Sequence, residues 1–514
     1  MTITPRKLLT GSARRIGRTL DRLGWERGSE SVLGLAGRLT QGHRVGADLL
    51  RESARLAFAQ GRQPLRHRAA YAARLALADR QLAAGSTGAA AASLSEAMQL
   101  AFHRVPHVDL LTSPLSDDPA GFTAPLHAST AARALGAPRG RAGTASTTAP
   151  KDRPLRLLVT TMRNANFLGL FLDHFRSRPD VELRFLDIGA DPELLALSRG
   201  VPRQIERAFG GRRDYDAALE AALRPHLDWA DTVFVEWCVD AAALLSMVDP
   251  RDTRVVVRLH RYEAFTQWPH LLDVSRIDDM VFIADHMREM TVRVLPRLLD
   301  PDGPRLHTLH NAVDLAGFAR PKPDSARFQV GLVGMKQIAK DPCWALEVIR
   351  RLRERDKRYR LLLVGDGIPA GLSAATGRYV EQFERELAPL TASGAVRLHG
   401  PSDDVPGVLG DVGVILSSSV REGCHVGLME GAASGAVPVV RDWPFVAGRE
   451  FSARTVFPDD WVVGTPEQAV DRILATTGSE EVWRKTGDQA SQHALAVWDW
   501  PVVSPDYDRL LLNR

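Results

Sequence analysis

The chain has 514 residues, 45% hydrophobic and 25% charged, with a net charge of +4. That length excludes a single hydrophobic core and predicts about three domains, with the balance of an ordinary soluble globular protein. Three cysteines, Cys238, Cys343 and Cys424, are far apart and odd in number, which argues against a disulfide framework or structural zinc and fits a reducing cytoplasm.

The N-terminus, "MTITPRKLLTGSARRIGRTLDRLGW", is basic but lacks the apolar core of a signal peptide, and no run of about 18 apolar residues occurs. The expectation is a cytoplasmic protein that is soluble or lies at the inner face of a membrane. Residues 1–70 hold 14 Lys/Arg against 5 Asp/Glu, so the remainder is net acidic. A basic leading segment suits a polyanionic surface, lipid or nucleic acid. The absence of an aromatic platform among these basic residues speaks against nucleic acid.

Residues 1–135 read as helical throughout. Leu9, Ala13, Ile16, Leu20 and Leu23 recur at the spacing of one helix face. "HRAAYAARLALADRQLAAG" and "STGAAAASLSEAMQLAFH" form a helix pair, with Gly85 as the stop and Ser86 or Thr87 as the next cap. The pair weakly resembles a tetratricopeptide hairpin, without a clear second copy; a protein partner of this helical domain is a further expectation. Residues 136–152, rich in Gly, Pro, Ala, Ser and Thr, read as a flexible linker.

From residue 153 strands and helices alternate. "LRLLVTT", "VELRFLDIG", "DTVFVEW", "TRVVVRLH" and "MVFIA" form one series of apolar strands. "FQVGLVGM", "YRLLLVGDG", "AVRLHG", "VGVILSSS" and "VPVV" form a second. Near-continuous apolar strands between helices imply parallel sheets covered on both faces. The fold class is therefore α/β, two facing Rossmann-like domains preceded by an all-α domain. Ligands are expected outside the strands' carboxyl ends, in the cleft.

The segment "REGCHVGLMEGAASGAVPVV" places Glu422 in the loop after one such strand and Glu430 inside the following short helix. That helix's N-terminus near Gly427 offers unpaired N–H groups and positive dipole to a diphosphate. Gly423 and Gly427 would let the backbone approach a ligand closely. A carboxylate such as Glu430 could accept the two vicinal hydroxyls of a ribose.

Glutamate, seven residues, glutamate, then small residues and a Pro-containing strand resembles the EX7E motif of retaining nucleotide-sugar glycosyltransferases, glycosyltransferase family 4, with the GT-B fold. "HNAVD" (310–314), "VGLVGMKQIAKDP" (330–342), "LLLVGDG" and "VRLHGPSDDVPGVLGDVGVILSSS" agree with it in order and spacing. The resemblance covers 153–514 and is strongest over 306–442. It implies an acceptor-side domain at 153–318, a donor domain at 319–490, and a segment at 491–514 crossing back to the first.

It also implies site residues. Glu422 would meet the donor sugar or its reacting centre, and His260 would face it from the opposite side of the cleft. Glu430 would bind the ribose, with Lys340, Lys336, Gly334, Gly427 and Leu428 completing the donor-binding set. Met335 stands where the family commonly has an arginine, Ala312 replaces a glycine, and "MRNANFLG" stands in place of the usual Gly-Gly acceptor loop. The implied reaction is transfer of a sugar, a hexose by analogy, from a nucleoside-diphosphate sugar to a glycan or lipid-linked acceptor of the cell envelope. The family generally works without metal, so neither metal nor cofactor is expected.

Taken singly, Glu430 and Lys340 would read as solvated surface residues, His260 as a core histidine, and Glu236 as the partner of Arg258 or Arg261. Asn311 reads as a turn cap and Cys424 as packing. Two rivals use the same sequence: a GT-B nucleotide-sugar epimerase, and a non-catalytic scaffold with a degenerate transferase domain.

Overall fold

The computed structural model describes residues 5–40, 42–145 and 149–512, with side chains from residue 10 onward. Its two parallel sheets arise from two runs of strands. The first run is β1 (Leu155–Thr161), β2 (Val181–Asp187), β3 (Thr232–Glu236), β4 (Arg254–Leu259), β5 (Asp279–Phe282) and β6 (Arg305–Thr308). These pair in the order β2-β1-β3-β4-β5-β6. The second run is β7 (Gln329–Val333), β8 (Arg360–Val364), β9 (Val396–Gly400), β10 (Val414–Ser417), β11 (Val437–Arg441) and β12 (Val462–Val463), paired as β12-β11-β10-β7-β8-β9.

Central strands β3, β4, β5 and β10 are buried at every position, so their apolar runs are continuous rather than alternating. In both sheets the order reverses beside the first strand, β1 or β7, and that reversal opens a crevice at the strands' carboxyl ends.

Five helices lead the chain: α1 (Pro5–Arg22), α2 (Glu26–Leu39), α3 (Arg44–Ala59), α4 (His67–Ala83) and α5 (Thr87–Ala101). Each packs on the next. Gly85, with φ +72°, ends α4 in the left-handed conformation that glycine adopts without strain. Ser86 is the N-cap of α5, though its side chain makes no capping bond.

The face that α1 buries differs from the apolar stripe read in its sequence. Ala13 and Gly17 are buried, and a Cβ on Gly17 would lie 3.3 Å from Leu33 Cγ. Ile16 and Leu23 are 50% and 67% exposed. Small residues admit α2 at close range, and that contact overrides the longer stripe; the Leu9 side chain lies outside the described residues.

The helical region touches both α/β domains. α5 packs on the helix Val201–Ala208, and Pro119–Ala128 packs on Asp285–Val294. On the other side, Arg378 Nη2 donates to Gly61 O at 2.9 Å. The Gly/Pro-rich connection is held to the first α/β domain: Arg139 N, Gly140 N and Ala142 N donate to Asp273, Ser275 and Asp249, and Arg141 reaches Asp278 Oδ2 at 2.8 Å.

The last helix, Trp500–Leu512, returns to the first sheet, where Val503, Tyr507 and Leu511 join a core with Leu157, Phe171 and Phe234. No described helix is long and apolar enough to cross a membrane.

Candidate functional site

The loop leaving β10 brings together the two segments singled out above. Val420 N donates to Ala339 O at 2.8 Å, and Ser418 Oγ to Lys340 O at 2.5 Å, which ties the loop to the turn after β7. Lys340 Nζ then reaches Glu422 Oε1 at 2.6 Å, where Ser419 Oγ also donates at 2.6 Å. Glu422 is 5% exposed. Burial, the largest influence, opposes its charge, yet Lys340, His425 and Arg261 outweigh it and hold the carboxyl down at about 2. Glu422 is therefore an ionised carboxylate in a dry setting.

His425 fixes the start of the following helix, Val426–Ala433. Its Nδ1 lies 2.8 Å from Ser417 Oγ and its Nε2 3.2 Å from Val333 O. Burial lowers its pKa to about 4, so the ring is neutral at pH 7. Leu428 is fully buried and its N–H donates to His425 O, leaving Val426 and Gly427 at the very N-terminus of the helix.

Glu430 sits one turn further in, and burial pushes its carboxyl up to about 7. Among the described residues no side-chain hydrogen bond or ion pair reaches this half-buried carboxyl, so its oxygens are open to donors from a ligand.

Two glycines, Gly423 in the loop and Gly427 at the start of the helix, serve packing as well as access. A Cβ on Gly427 would lie 2.9 Å from Val333 Cβ, which lets the helix start directly against the end of β7. A Cβ on Gly423 would lie 2.6 Å from Ile283 Cδ1 and 3.1 Å from Arg261 Cβ, both across the cleft.

Gly334, with φ +84°, turns the chain out of β7 and hydrogen-bonds to Val364 O. The next residue, Met335, is buried in the core of the second α/β domain. Lys336 stands apart from Lys340: it is exposed and pairs with Asp366 Oδ2 at 3.3 Å.

His260 closes β4 in the opposite domain and is 3% exposed. Its Nε2 meets Glu236 Oε1 at 2.7 Å, and Glu236 Oε2 accepts from Arg258 Nε at 2.6 Å. Tyr507 OH from the returning helix accepts from Arg258 Nη1 at 2.7 Å and donates to His310 O at 2.9 Å.

Trp237 stacks on the His260 ring at 3.9 Å and Phe167 at 5.3 Å. Both aromatics hold left-handed backbone, φ +68° and +69°. That conformation costs a bulky L-residue about 1–2 kcal/mol, so the surrounding fold imposes it. Phe167 lies in the segment that replaces the expected Gly-Gly loop.

Three residues that the sequence did not single out as site residues bind the loop across the cleft. Arg261 Nη1 donates to Arg421 O at 2.6 Å and lies 3.9 Å from Glu422 Oε2; its Nη2 donates to Gln337 Oε1 at 2.5 Å. His286 Nε2 sits 2.8 Å from Glu422 O. Arg421 itself turns away, toward the helical domain. Asn311 also crosses, its Nδ2 donating to Cys424 Sγ at 3.1 Å. Single residues without a spacing pattern give no sequence signal for such contacts.

Among the described residues no group of three or more His, Cys, Asp or Glu is placed to hold a metal. Chemically, the arrangement pairs an ionised carboxylate with a lysine, next to a helix N-terminus and a second, half-buried carboxylate.

The family of glycosyl transferases group 1 matches residues 327–475, most of the second α/β domain. No curated protein matches the chain. Among solved structures, Anabaena Alr3699/HepE in complex with UDP and glucose superposes with a TM-score of 0.51 at 12% identity, over 70% of this chain and 99% of that one. The same protein with UDP-glucose gives 0.51 and 12%, over 69% and 99%. An O-GlcNAc transferase mutant of Thermobaculum terrenum covers 99% of this chain and 98% of its own, at 16% identity and a TM-score of 0.44. The chain has the GT-B fold, and its second α/β domain is similar to the group 1 glycosyl transferases.

Proposed function

We propose that this protein is a retaining glycosyltransferase that takes a sugar, a hexose, from a nucleoside-diphosphate donor and passes it to a glycan or glycolipid of the cell envelope. The observation that carries this reading is the pair of carboxylates, buried Glu422 and half-buried Glu430, flanking one helix N-terminus inside the segment matched to the group 1 transferases.

In this reading ribose hydroxyls donate to Glu430 and relieve its burial. The diphosphate lies at the helix N-terminus by Val426–Gly427, where backbone N–H groups and the dipole favour negative charge. Lys340 swings from Glu422 toward the phosphates as leaving-group charge develops, while Gly334 and Leu428 shape the pocket wall. Removing one such donor costs about 3–4 kcal/mol in the transition state. Lys336 reaches the phosphates only by leaving Asp366. Glu422, freed of Lys340, faces the reacting sugar. His260, its ring oriented by Glu236, faces the sugar from the other wall. Main-chain dipoles and lysine supply the charge stabilisation, so the proposed reaction needs no metal or other cofactor.

The protein is proposed to act in the cytoplasm at the membrane's inner face. Ile16, Leu23 and Trp25 project from α1 and its turn among the exposed Arg15, Arg18 and Arg22. That combination suits an anionic lipid surface, and it would bring the cleft to lipid-linked acceptors.

The test is release of nucleoside diphosphate from UDP-, GDP- and ADP-linked hexoses in the presence of lipid-extract acceptors. Proton NMR of the product reads the anomeric configuration. Turnover by wild type, its loss in Glu422→Gln and retention of configuration support the proposal. Sugar epimerised on the nucleotide, with no transfer, would replace it with the epimerase reading.

A further inference from the structure

The loop that carries Glu422 belongs to the second α/β domain, yet one of its residues is anchored in the helical N-terminal domain. Arg421 is 7% exposed. Its Nη1 donates to Leu111 O at 3.1 Å, and its Nη2 to Val108 O at 3.3 Å and Leu110 O at 2.9 Å. No described carboxylate forms an ion pair with it, so the guanidinium is held by carbonyl oxygens from more than 300 residues earlier.

The receiving segment is itself fastened. Asp109, 2% exposed, accepts from Arg104 Nε at 2.8 Å and Nη2 at 2.7 Å, which fixes the turn that presents these carbonyls. From the other side Arg261 grips Arg421 O, and His286 grips Glu422 O. Three domains thus converge on two consecutive residues of one loop.

A buried guanidinium spread over three carbonyls is geometrically demanding, since its planar fork must match all three acceptors. A lysine could keep the charge but satisfy only part of the set. If the helical domain merely shielded the cleft, apolar packing would suffice, and a desolvated guanidinium would be an expensive way to build it.

We propose that Arg421 is a positioning residue through which the helical N-terminal domain sets the Glu422 loop, so that seating of this domain on the α/β body governs the transfer step. A partner or surface that shifts the helical domain would then change turnover without entering the cleft. The consequence for turnover rests on the transferase reading above; the mechanical coupling does not.

The test uses the full chain in four forms: wild type, Arg421→Lys, Asp109→Asn and the double variant. Amide hydrogen exchange of the peptide spanning Val420–Cys424 is the first readout. Both single variants should speed exchange there several-fold, Asp109→Asn acting from another domain. The second readout is turnover of the hexose donor that wild type uses. Each single variant should lower kcat by about tenfold or more, as loss of alignment does, with KM for the donor within about twofold. The double variant should be no slower than the worse single one, because both changes act through one contact.

Unchanged exchange at 420–424 in Asp109→Asn would overturn the coupling whatever the activity. Faster exchange with unaltered kcat would overturn the claim that the seating governs transfer. Multiplied losses in the double variant would overturn the single path. Faster exchange in a wild-type background that turns over no donor would instead overturn the transferase reading and leave the coupling standing. Should Arg421→Lys fail to fold, Asp109→Asn alone decides through its exchange and kcat.

Discussion

Glu430 offers a perturbation whose sign is set by burial alone. Its carboxyl is pushed up to about 7 from an ordinary value of 4.5 in the folded chain. The folded state therefore binds the proton more tightly than the unfolded state, and stability falls as pH rises from the unfolded value through the folded one. Below about pH 4.5 the group costs nothing. Above pH 7 it costs the full difference between 4.5 and about 7, or about 3 kcal/mol.

Glu430→Gln removes the charge while keeping the shape. The buried amide carries its own penalty, about 1–3 kcal/mol at any pH, so the comparison across pH is what isolates the carboxylate. The variant's melting temperature relative to wild type should rise between pH 5 and pH 8. At about 2–4 °C per kcal/mol for a domain of this size, the rise should reach several degrees.

Differential scanning calorimetry of both ligand-free proteins at the two pH values is the assay. A difference in melting temperature that stays constant between them would refute the claim that partial burial raises the Glu430 carboxyl. The same group should make nucleotide bind more tightly at pH 8 than at pH 6, because ribose donors favour the ionised form.

Other outcomes follow from the geometry. Glu422, held down at about 2, stabilises the fold above its unfolded pKa, and that contribution should drain away as pH falls from about 4.5 toward 2; Glu422→Gln should flatten this limb of the acid-unfolding curve. Glu236→Ala strips the fully buried Arg258 of its carboxylate and should cost about 3–5 kcal/mol in urea titration. Gly427→Ala drives a methyl into Val333 and should destabilise by about 1–3 kcal/mol, read in the same titration. Replacing Leu23 and Trp25 by serine should abolish sedimentation with vesicles containing anionic lipid while leaving the melting temperature within about 2 °C, since such exposed positions contribute little to the fold.

The central strands were legible because a strand covered on both faces is mostly apolar on both, as the "VVV" of β4 is. β6, "RLHT", and β12, two valines, were not read. Both are edge strands with one neighbour, and neither needs a long apolar run. The helical region was legible as helix, but the face α1 buries was hidden: glycine and alanine mark close approach without adding hydrophobicity.

At the candidate site, Glu422 and Glu430 were singled out by a spacing that one loop and one helix preserve locally, and Lys340 by the resemblance of the segment after β7. The structure brings Lys340 and Glu422 together and leaves Lys336 with Asp366 at the surface. Arg261, His286 and Arg421 were missed for one physical reason. Their partners lie in other domains, and a lone basic residue has the same sequence appearance whether it meets water or a carbonyl.

The most direct test of the account is thermal unfolding of wild type and Glu430→Ala with UDP, GDP and ADP, each also as its hexose conjugate. A nucleotide present at about 100 times its dissociation constant adds about 2.7 kcal/mol to the native state. The account predicts that one of these nucleotides raises the melting temperature of wild type and leaves that of Glu430→Ala unmoved. Equal stabilisation of both proteins would contradict the role given to Glu430, and no shift with any of the six ligands would contradict the donor site itself.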